Sequence, residues 1–153
     1  MRALIFVTQF YQLGGAERLA VELAEQLNAR GIHADILSMY TAELPGVAKA
    51  MADLLSRGIP DVRFLNMRVH PPIWSVAPAV QALRRLLRQC HYDIIETSMV
   101  SPTVIASWAT RGTHTRHIAG LHQVFSLSTQ NSAIHKLWRF SVQMNPRVRY
   151  YAI

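Results

Sequence analysis

Ala3-Leu-Ile-Phe-Val7, close to the start of the chain, opens the stretch of sequence that decides the fold. This short run of strand-forming apolar residues is typical of a strand buried on both faces. Over residues 16–30 the apolar positions recur every three or four residues, which predicts an amphipathic helix, and Gly31 follows where such a helix ends. Residues 34–39 form a second apolar run. Together these segments predict a βαβ unit, whose strands run parallel and are joined by a right-handed crossover.

The same alternation of strand and helix continues along the rest of the chain. Further strands are predicted at residues 62–65, 92–95, 116–121 and 148–153, and further helices at residues 47–55, 79–90, 103–111 and 134–143. Strands interleaved with helices in this way predict the α/β class, with a Rossmann-like, doubly wound parallel sheet of about six strands and helices on both faces. The length fits one such domain, which we expect to span residues 1–153.

The composition excludes several classes of protein. Half of the residues are hydrophobic and the mean hydropathy is +0.11, whereas disordered chains have low hydrophobicity. A disulfide scaffold is excluded because the chain has one cysteine, Cys90. The opening apolar run is far shorter than the ~20 residues that span a bilayer, and it does not read as a signal peptide. We therefore expect a globular domain in the cytoplasm.

Positive charge is concentrated in the second part of the chain. Residues 1–96 contain ten basic and nine acidic residues, residues 97–153 contain six basic and no acidic residues, and the net charge is +7. This asymmetry predicts an anionic partner. Nucleic acid is not expected, because no basic stripe interleaved with aromatic residues is present. Two alternatives remain: the segment around Lys136 and Arg139 touches an anionic membrane, or the positive surface faces a missing part of the protein.

Ligands of open α/β sheets bind outside the carboxyl ends of the strands, and this rule selects three segments. The first contains Gly14 and Gly15 at the predicted start of the first helix, where glycines allow close backbone approach to an anion. The second contains Glu96 and Ser98 after the fourth strand, and the third contains His122 after the fifth. A carboxylate can accept a hydrogen bond from a substrate hydroxyl, and a histidine can exchange a proton near neutral pH.

Each segment also has a purely structural interpretation. The glycine pair fits a tight turn between strand and helix. Glu96 is alternatively a solvated side chain, with Ser101 capping the next helix, and His122 a hydrogen-bonded structural imidazole. His114, His117 and His122 do not follow the spacing of a zinc site, and neither a metal nor a cofactor is predicted.

Two segments around the first helix carry a family resemblance. The helix opens with Gly14-Gly15-Ala16-Glu17-Arg18 and is followed by Arg30-Gly31-Ile32-His33. Both resemble the N-terminal domain of retaining GT-B glycosyltransferases of family 4. The segment Tyr92-Asp93-Ile94-Ile95-Glu96 is similar to a strand of the same family, and Arg149-Tyr150-Tyr151-Ala152-Ile153 is similar to the strand that ends its N-terminal domain. The resemblance covers essentially the whole chain.

The resemblance implies a two-domain enzyme, in which the N-terminal domain holds the acceptor and the C-terminal domain holds the nucleotide-sugar. Gly14 and Gly15 would then line the cleft, His122 would be the catalytic residue beside the reacting sugar, and Glu96 and Ser98 would bind substrate. Transfer in this family retains the anomeric configuration and is independent of metal, with electrostatic help at the departing diphosphate. A glycan or lipid-linked acceptor, used in polysaccharide or glycolipid synthesis, is the expected partner.

Some residues depart from the pattern of the family. Glu96 and Ser98 stand at the end of the fourth strand, where a histidine is common, and Gly120 stands where Thr or Ser is frequent. The donor motif of the family belongs to a second domain, so we expect this chain to be half of an enzyme and inactive alone. Its positive surface would then face the missing domain and the diphosphate. The alternative is a non-catalytic Rossmann-like ligand-binding or regulatory domain.

Overall fold

The computed structural model describes residues 1–11, 14–69, 71–121, 133–145 and 148–152, within which six parallel strands form one sheet that carries five α-helices. The strands are β1 (Arg2–Val7), β2 (His33–Tyr40), β3 (Val62–Met67), β4 (Ile94–Thr97), β5 (Arg116–Leu121) and β6 (Arg149–Ala152). The helices are α1 (Gly15–Ala29), α2 (Val47–Ser56), α3 (Val76–Cys90), α4 (Val100–Ala109) and α5 (Ala133–Met144). One turn of 3-10 helix, Ile73–Ser75, precedes α3.

The strand order is β3-β2-β1-β4-β5-β6, and all neighbouring strands run parallel. The chain first builds outward from β1 to β3, and then returns to place β4 on the other side of β1. This doubly wound arrangement confirms the predicted fold class. The switch point between β1 and β4 is the place where such sheets bind ligands, outside the carboxyl ends of the strands.

The two faces of the sheet have separate apolar cores, because successive side chains of a strand point in opposite directions. Ala3 and Ile5 of β1 pack with α1 and α2 on one face. Leu4 and Phe6 pack with α3 and α4 on the other. The prediction of helices on both faces is therefore confirmed.

The end of the first helix was also predicted correctly. Gly31 has a φ of 77°, a left-handed conformation that glycine adopts without a Cβ penalty. The backbone N–H of Ile32 donates to the carbonyl of Leu27 at 3.0 Å, which satisfies a carbonyl that the helix leaves free. This reversal directs the chain from α1 into β2.

Two predicted boundaries around the fourth strand were displaced. β4 runs from Ile94 to Thr97, so Glu96 lies inside the strand rather than after it. α4 begins at Val100, which places Ser101 in its first turn, and Met99 precedes the helix without a side-chain cap. The predicted capping role of Ser101 was therefore wrong. The helix begins early because its first turn accommodates Pro102, whose missing N–H is not needed there.

A buried charged cluster closes the core at the amino ends of the strands. Asp35 of β2 is fully buried and accepts hydrogen bonds from Tyr92 Oη at 2.7 Å and from Arg2 Nη2 at 2.9 Å. The Arg2 guanidinium also lies 4.9 Å from the centre of the Tyr92 ring. Burial, and next the hydrogen bond to Asp35, raise the pKa of Tyr92. The phenol therefore stays protonated and donates to the carboxylate.

Candidate functional site

An apolar groove lies on the α1 face of the sheet, beside the half of the sheet that α1 and α2 leave uncovered. Its floor is formed by β1, β4 and β5, and one wall is formed by α1. The groove has a volume of about 470 Å³, which is within the range of small-molecule sites. Its apolar lining includes Ala3, Ile5, Leu19, Leu23, Leu27, Ile94 and Ile118.

Glu96 is the ionisable residue that lines this groove. The side chain is buried, with 4% of the residue exposed, so the alternative of a solvated Glu96 was wrong. Its Oε1 accepts hydrogen bonds from Ser98 Oγ at 2.7 Å and from Tyr151 Oη at 2.8 Å. Burial raises the pKa of Glu96, although the hydrogen bonds from Ser98 and Tyr151 act in the opposite direction. Its Oε2 is buried without a hydrogen-bond partner in the part of the chain that the structure describes.

Tyr151 joins the site from β6, two strands away from Glu96. Glu96 pairs with Ile118 of β5, and Gly120 of β5 pairs with Tyr151. Paired residues of parallel strands share a face, and Gly120 contributes no side chain on that face. The Tyr151 side chain therefore crosses β5 at the glycine and reaches the carboxylate. This path gives the departure from Thr or Ser at position 120 a physical reason.

The predicted glycine pair lies at the start of α1. Gly14 and Gly15 are both exposed, and neither lines the groove, whose α1 wall begins at Leu19. A Cβ at Gly14 would lie 2.7 Å from Oε2 of Glu17, whereas a Cβ at Gly15 would meet no atom within 4 Å. Steric room within the chain therefore does not require glycine at position 15, and its proposed role in approaching a ligand stays a prediction.

The predicted catalytic residue, His122, lies outside the described residues. It follows the last residue of β5, Leu121, in the sequence. Among the predicted site residues, the structure brings Glu96 and Ser98 together in one hydrogen-bonded group. The assignments of all five predicted site residues stay predictions.

The positive residues of the second part of the chain lie partly away from this site. Arg116 and Arg149 are the first residues of β5 and β6, and both are exposed. They therefore stand at the amino edge of the parallel sheet, opposite the edge at which such folds bind ligands. Lys136 lies in the first turn of α5, which follows the carboxyl end of β5.

A second polar group lies on the opposite face of the sheet, under α4. His117 of β5 is 2% exposed, and its Nε2 lies 2.9 Å from Thr97 Oγ1. Its Nδ1 lies 3.5 Å from Ser107 Oγ. Burial lowers the pKa of His117 from 6.5 to about 3. The imidazole is therefore neutral at pH 7 and joins strand to helix through hydroxyl groups.

We expect this histidine to make the protein less stable in mild acid. Below pH 6.5 the unfolded chain binds a proton at His117, whereas the folded chain binds one only near pH 3. The free energy of unfolding therefore falls as the pH is lowered, by about 2 kcal/mol between pH 7 and pH 5. Urea unfolding at the two pH values measures this loss. The His117→Gln variant should lack it and the exposed His114→Gln variant should keep it; equal pH dependence in both variants would contradict the assignment.

Two searches of the described residues found nothing further. No group of three or more His, Cys, Asp or Glu side chains is arranged to hold a metal ion in the described ranges. None of the helices, as far as the structure describes the chain, has both the length and the hydrophobicity to cross a membrane.

Comparison with known proteins identifies relatives of this fold. A sequence model described as Glycosyltransferase Family 4 matches residues 13–152. HepE from Anabaena, solved in complex with UDP, is 18% identical with a TM-score of 0.69, and the match covers 95% of this chain and 36% of that one. For MurG from Acinetobacter baumannii these values are 14%, 0.61, 91% and 39%. For sucrose-phosphate synthase from Thermosynechococcus elongatus they are 11%, 0.60, 100% and 48%.

The extent of these matches defines what they show. The chain spans less than half the length of each of the three solved structures. No curated protein matches the sequence. The family match nevertheless covers nearly the whole chain, and the parallel sheet agrees with the structural matches. The chain therefore belongs to glycosyltransferase family 4, with the fold of the N-terminal domain of GT-B glycosyltransferases.

Proposed function

We propose that this chain is the acceptor-binding half of a retaining glycosyltransferase. The enzyme transfers a sugar from a nucleotide-sugar to a hydroxyl group of a glycan or lipid-linked acceptor, in polysaccharide or glycolipid synthesis for the cell envelope. The reaction takes place in the cytoplasm at the inner face of the membrane and uses neither a metal nor a cofactor. Membership of glycosyltransferase family 4 supports the class of reaction.

The observation that carries the acceptor role is the buried Oε2 of Glu96, which has no hydrogen-bond partner in the described residues. A buried polar atom without a partner is costly, and native proteins rarely leave one unsatisfied. Ser98 and Tyr151 donate to the other oxygen and hold the carboxylate in one orientation. A hydroxyl group of the acceptor is a donor of the required kind, and binding it would orient its oxygen for the reaction.

In the proposed reaction, the acceptor oxygen forms a bond with the anomeric carbon of the donor sugar. The bond from that carbon to the diphosphate oxygen breaks, and the acceptor proton leaves with the diphosphate. His122 is proposed to stand beside the reacting sugar. Gly14 and Gly15 are proposed to bring the start of α1, with its free N–H groups, close to the negative charge in the cleft.

The nucleotide-sugar is proposed to bind mainly to a second domain. The fraction of each solved relative that this chain covers, 36–48%, supports a division of the enzyme into two halves. Lys136, at the start of α5, is exposed and follows the carboxyl end of β5, which supports a contact with an anion between the domains.

Isothermal titration calorimetry of the chain alone with UDP-sugars tests this division. Because the main donor contacts are assigned to the second domain, we expect a Kd of about 1 mM or weaker, equivalent to a binding free energy near −4 kcal/mol. A micromolar Kd would overturn the placement of the donor site. It would favour the alternative of a self-contained ligand-binding or regulatory domain. Titration with an unrelated monophosphate nucleotide gives the background for anion binding.

A further inference from the structure

An exposed apolar surface follows the end of β3, on an edge strand of the sheet. Val69, Ile73 and Trp74 have 44%, 48% and 74% of their surfaces exposed. Arg68 and Trp74 line a shallow groove of about 490 Å³, together with Pro78 and Ala82 of α3. We call this surface the Trp74 patch and define it by Arg68, Val69, Ile73, Trp74, Pro78, Ala82 and Arg85.

The Trp74 patch is held in place by local structure. Ser75 donates two hydrogen bonds to the carbonyl of Pro72, from its backbone N at 2.9 Å and from its Oγ at 2.6 Å. These bonds close the 3-10 turn Ile73–Ser75. Pro71 and Pro72 restrict the backbone before the turn, because proline fixes φ. The two large apolar side chains are therefore presented outward by a rigid turn, and clustered exposed apolar residues of this kind mark interaction sites.

The charge around the Trp74 patch has one sign. Residues 62–92 contain five arginines and no acidic residue; the arginines are Arg63, Arg68, Arg84, Arg85 and Arg88. Arg63 pairs with Asp61, and Arg84 donates to backbone carbonyls of α4. Arg68 and Arg85 are exposed, and in the described residues no carboxylate lies within ion-pair distance of either. Arg85 continues the stripe of α3 formed by Pro78 and Ala82, because residues three, four and seven positions apart share a helix face.

We propose that the Trp74 patch docks on an anionic lipid bilayer. Trp74 and Ile73 enter the interfacial region, where tryptophan is favoured, and Arg68 and Arg85 contact lipid phosphates. An acidic protein partner would satisfy the arginines but would not need an aromatic side chain standing out from a rigid turn. The inference rests on the proposed use of a membrane-associated acceptor, although bilayer binding is measured without any sugar transfer.

This assignment differs from the sequence-based alternative, which placed a membrane contact on the segment around Lys136 and Arg139. Leu137 and Trp138 in that segment are only partly exposed. Phe140 stacks on Trp108 of α4, with ring centres 5.8 Å apart. The apolar side chains of α5 are thus engaged with α4, whereas Trp74 is the most exposed large apolar side chain among the described residues.

Cosedimentation with vesicles tests the inference. The chain should bind vesicles of phosphatidylcholine and phosphatidylglycerol in equal amounts, and should bind pure phosphatidylcholine vesicles far more weakly. Arg68→Gln and Arg85→Gln should each reduce partitioning to the anionic vesicles roughly fivefold, as expected for one basic residue near an anionic surface. Trp74→Ser should reduce it about tenfold, because an apolar side chain is withdrawn from the bilayer. Arg30→Gln, which changes an exposed arginine outside the patch, is the matched control and should bind normally.

Tryptophan fluorescence identifies the surface that makes the contact. Brominated lipids in the anionic vesicles should quench the fluorescence, and Trp74→Phe should remove most of that quenching while binding persists. Trp138→Phe should leave the quenching unchanged. The inference is overturned if quenching depends on Trp138, if binding does not distinguish the two vesicle types, or if Trp74→Ser instead dissociates a dimer in analytical ultracentrifugation. A variant that binds vesicles normally but transfers no sugar bears on the proposed function alone.

Discussion

Replacing Asp35 by alanine is expected to lower the free energy of unfolding by about 3 kcal/mol, the lower end of the range for breaking a buried charged pair. The substitution removes the acceptor of the Tyr92 hydroxyl and the partner of Arg2. Tyr92 is fully buried, so its hydroxyl would be left without a partner in an apolar core. Arg2 is one-third exposed and can turn to water, which keeps the loss below the upper end of that range.

Urea unfolding of the purified chain, followed by circular dichroism, measures this loss. Asp53→Ala is the matched control, because Asp53 is exposed and lies 3.9 Å from Arg57 in an ion pair along α2. That surface pair should contribute less than about 0.5 kcal/mol. Tyr92→Phe removes only the donor and should cost about 1–2 kcal/mol. If Asp35→Ala were as stable as Asp53→Ala, the cluster would not contribute to the core as described.

The fold was predictable from the sequence because its signals are local. The apolar run before the first helix, the three- and four-residue periodicity over residues 16–30 and Gly31 each report on a few neighbouring residues. Boundaries were less certain where one residue fits two structures. Pro102 is compatible with a loop or with the first turn of a helix, and α4 in fact begins two residues before it.

The candidate site was only partly predictable, because its contacts join distant segments. Glu96 and Ser98 are two residues apart, and their position near a strand end was enough to select both. Tyr151 is 55 residues from Glu96, and its contact depends on the register of three parallel strands. A single sequence does not specify that register. The glycine at position 120 was a signal, since it removes a side chain between Glu96 and Tyr151.

Replacing Glu96 by glutamine is expected to lower kcat/KM for the acceptor about 100-fold. The amide keeps an oxygen that can accept from Ser98 and Tyr151, but it places an NH2 group where the carboxylate offers Oε2. A hydrogen bond to a charged group contributes about 1.5–3 kcal/mol, and the upper part of that range corresponds to 100-fold. KM for the nucleotide-sugar should not change, because the donor is assigned to the second domain.

Steady-state transfer assays of the proposed two-domain enzyme, with acceptor and donor varied separately, measure these effects. Tyr151→Phe is the matched variant, since it removes one hydrogen bond to Oε1 and keeps the carboxylate. We expect a loss of about tenfold, mainly as a higher KM for the acceptor, because the charged oxygen remains but is held less firmly. Thermal unfolding of both variants separates binding from stability. If Glu96→Gln transferred sugar at the normal rate and only its stability changed, Glu96 would be a structural residue of the sheet, and the acceptor would have to be held elsewhere along the carboxyl ends of the strands.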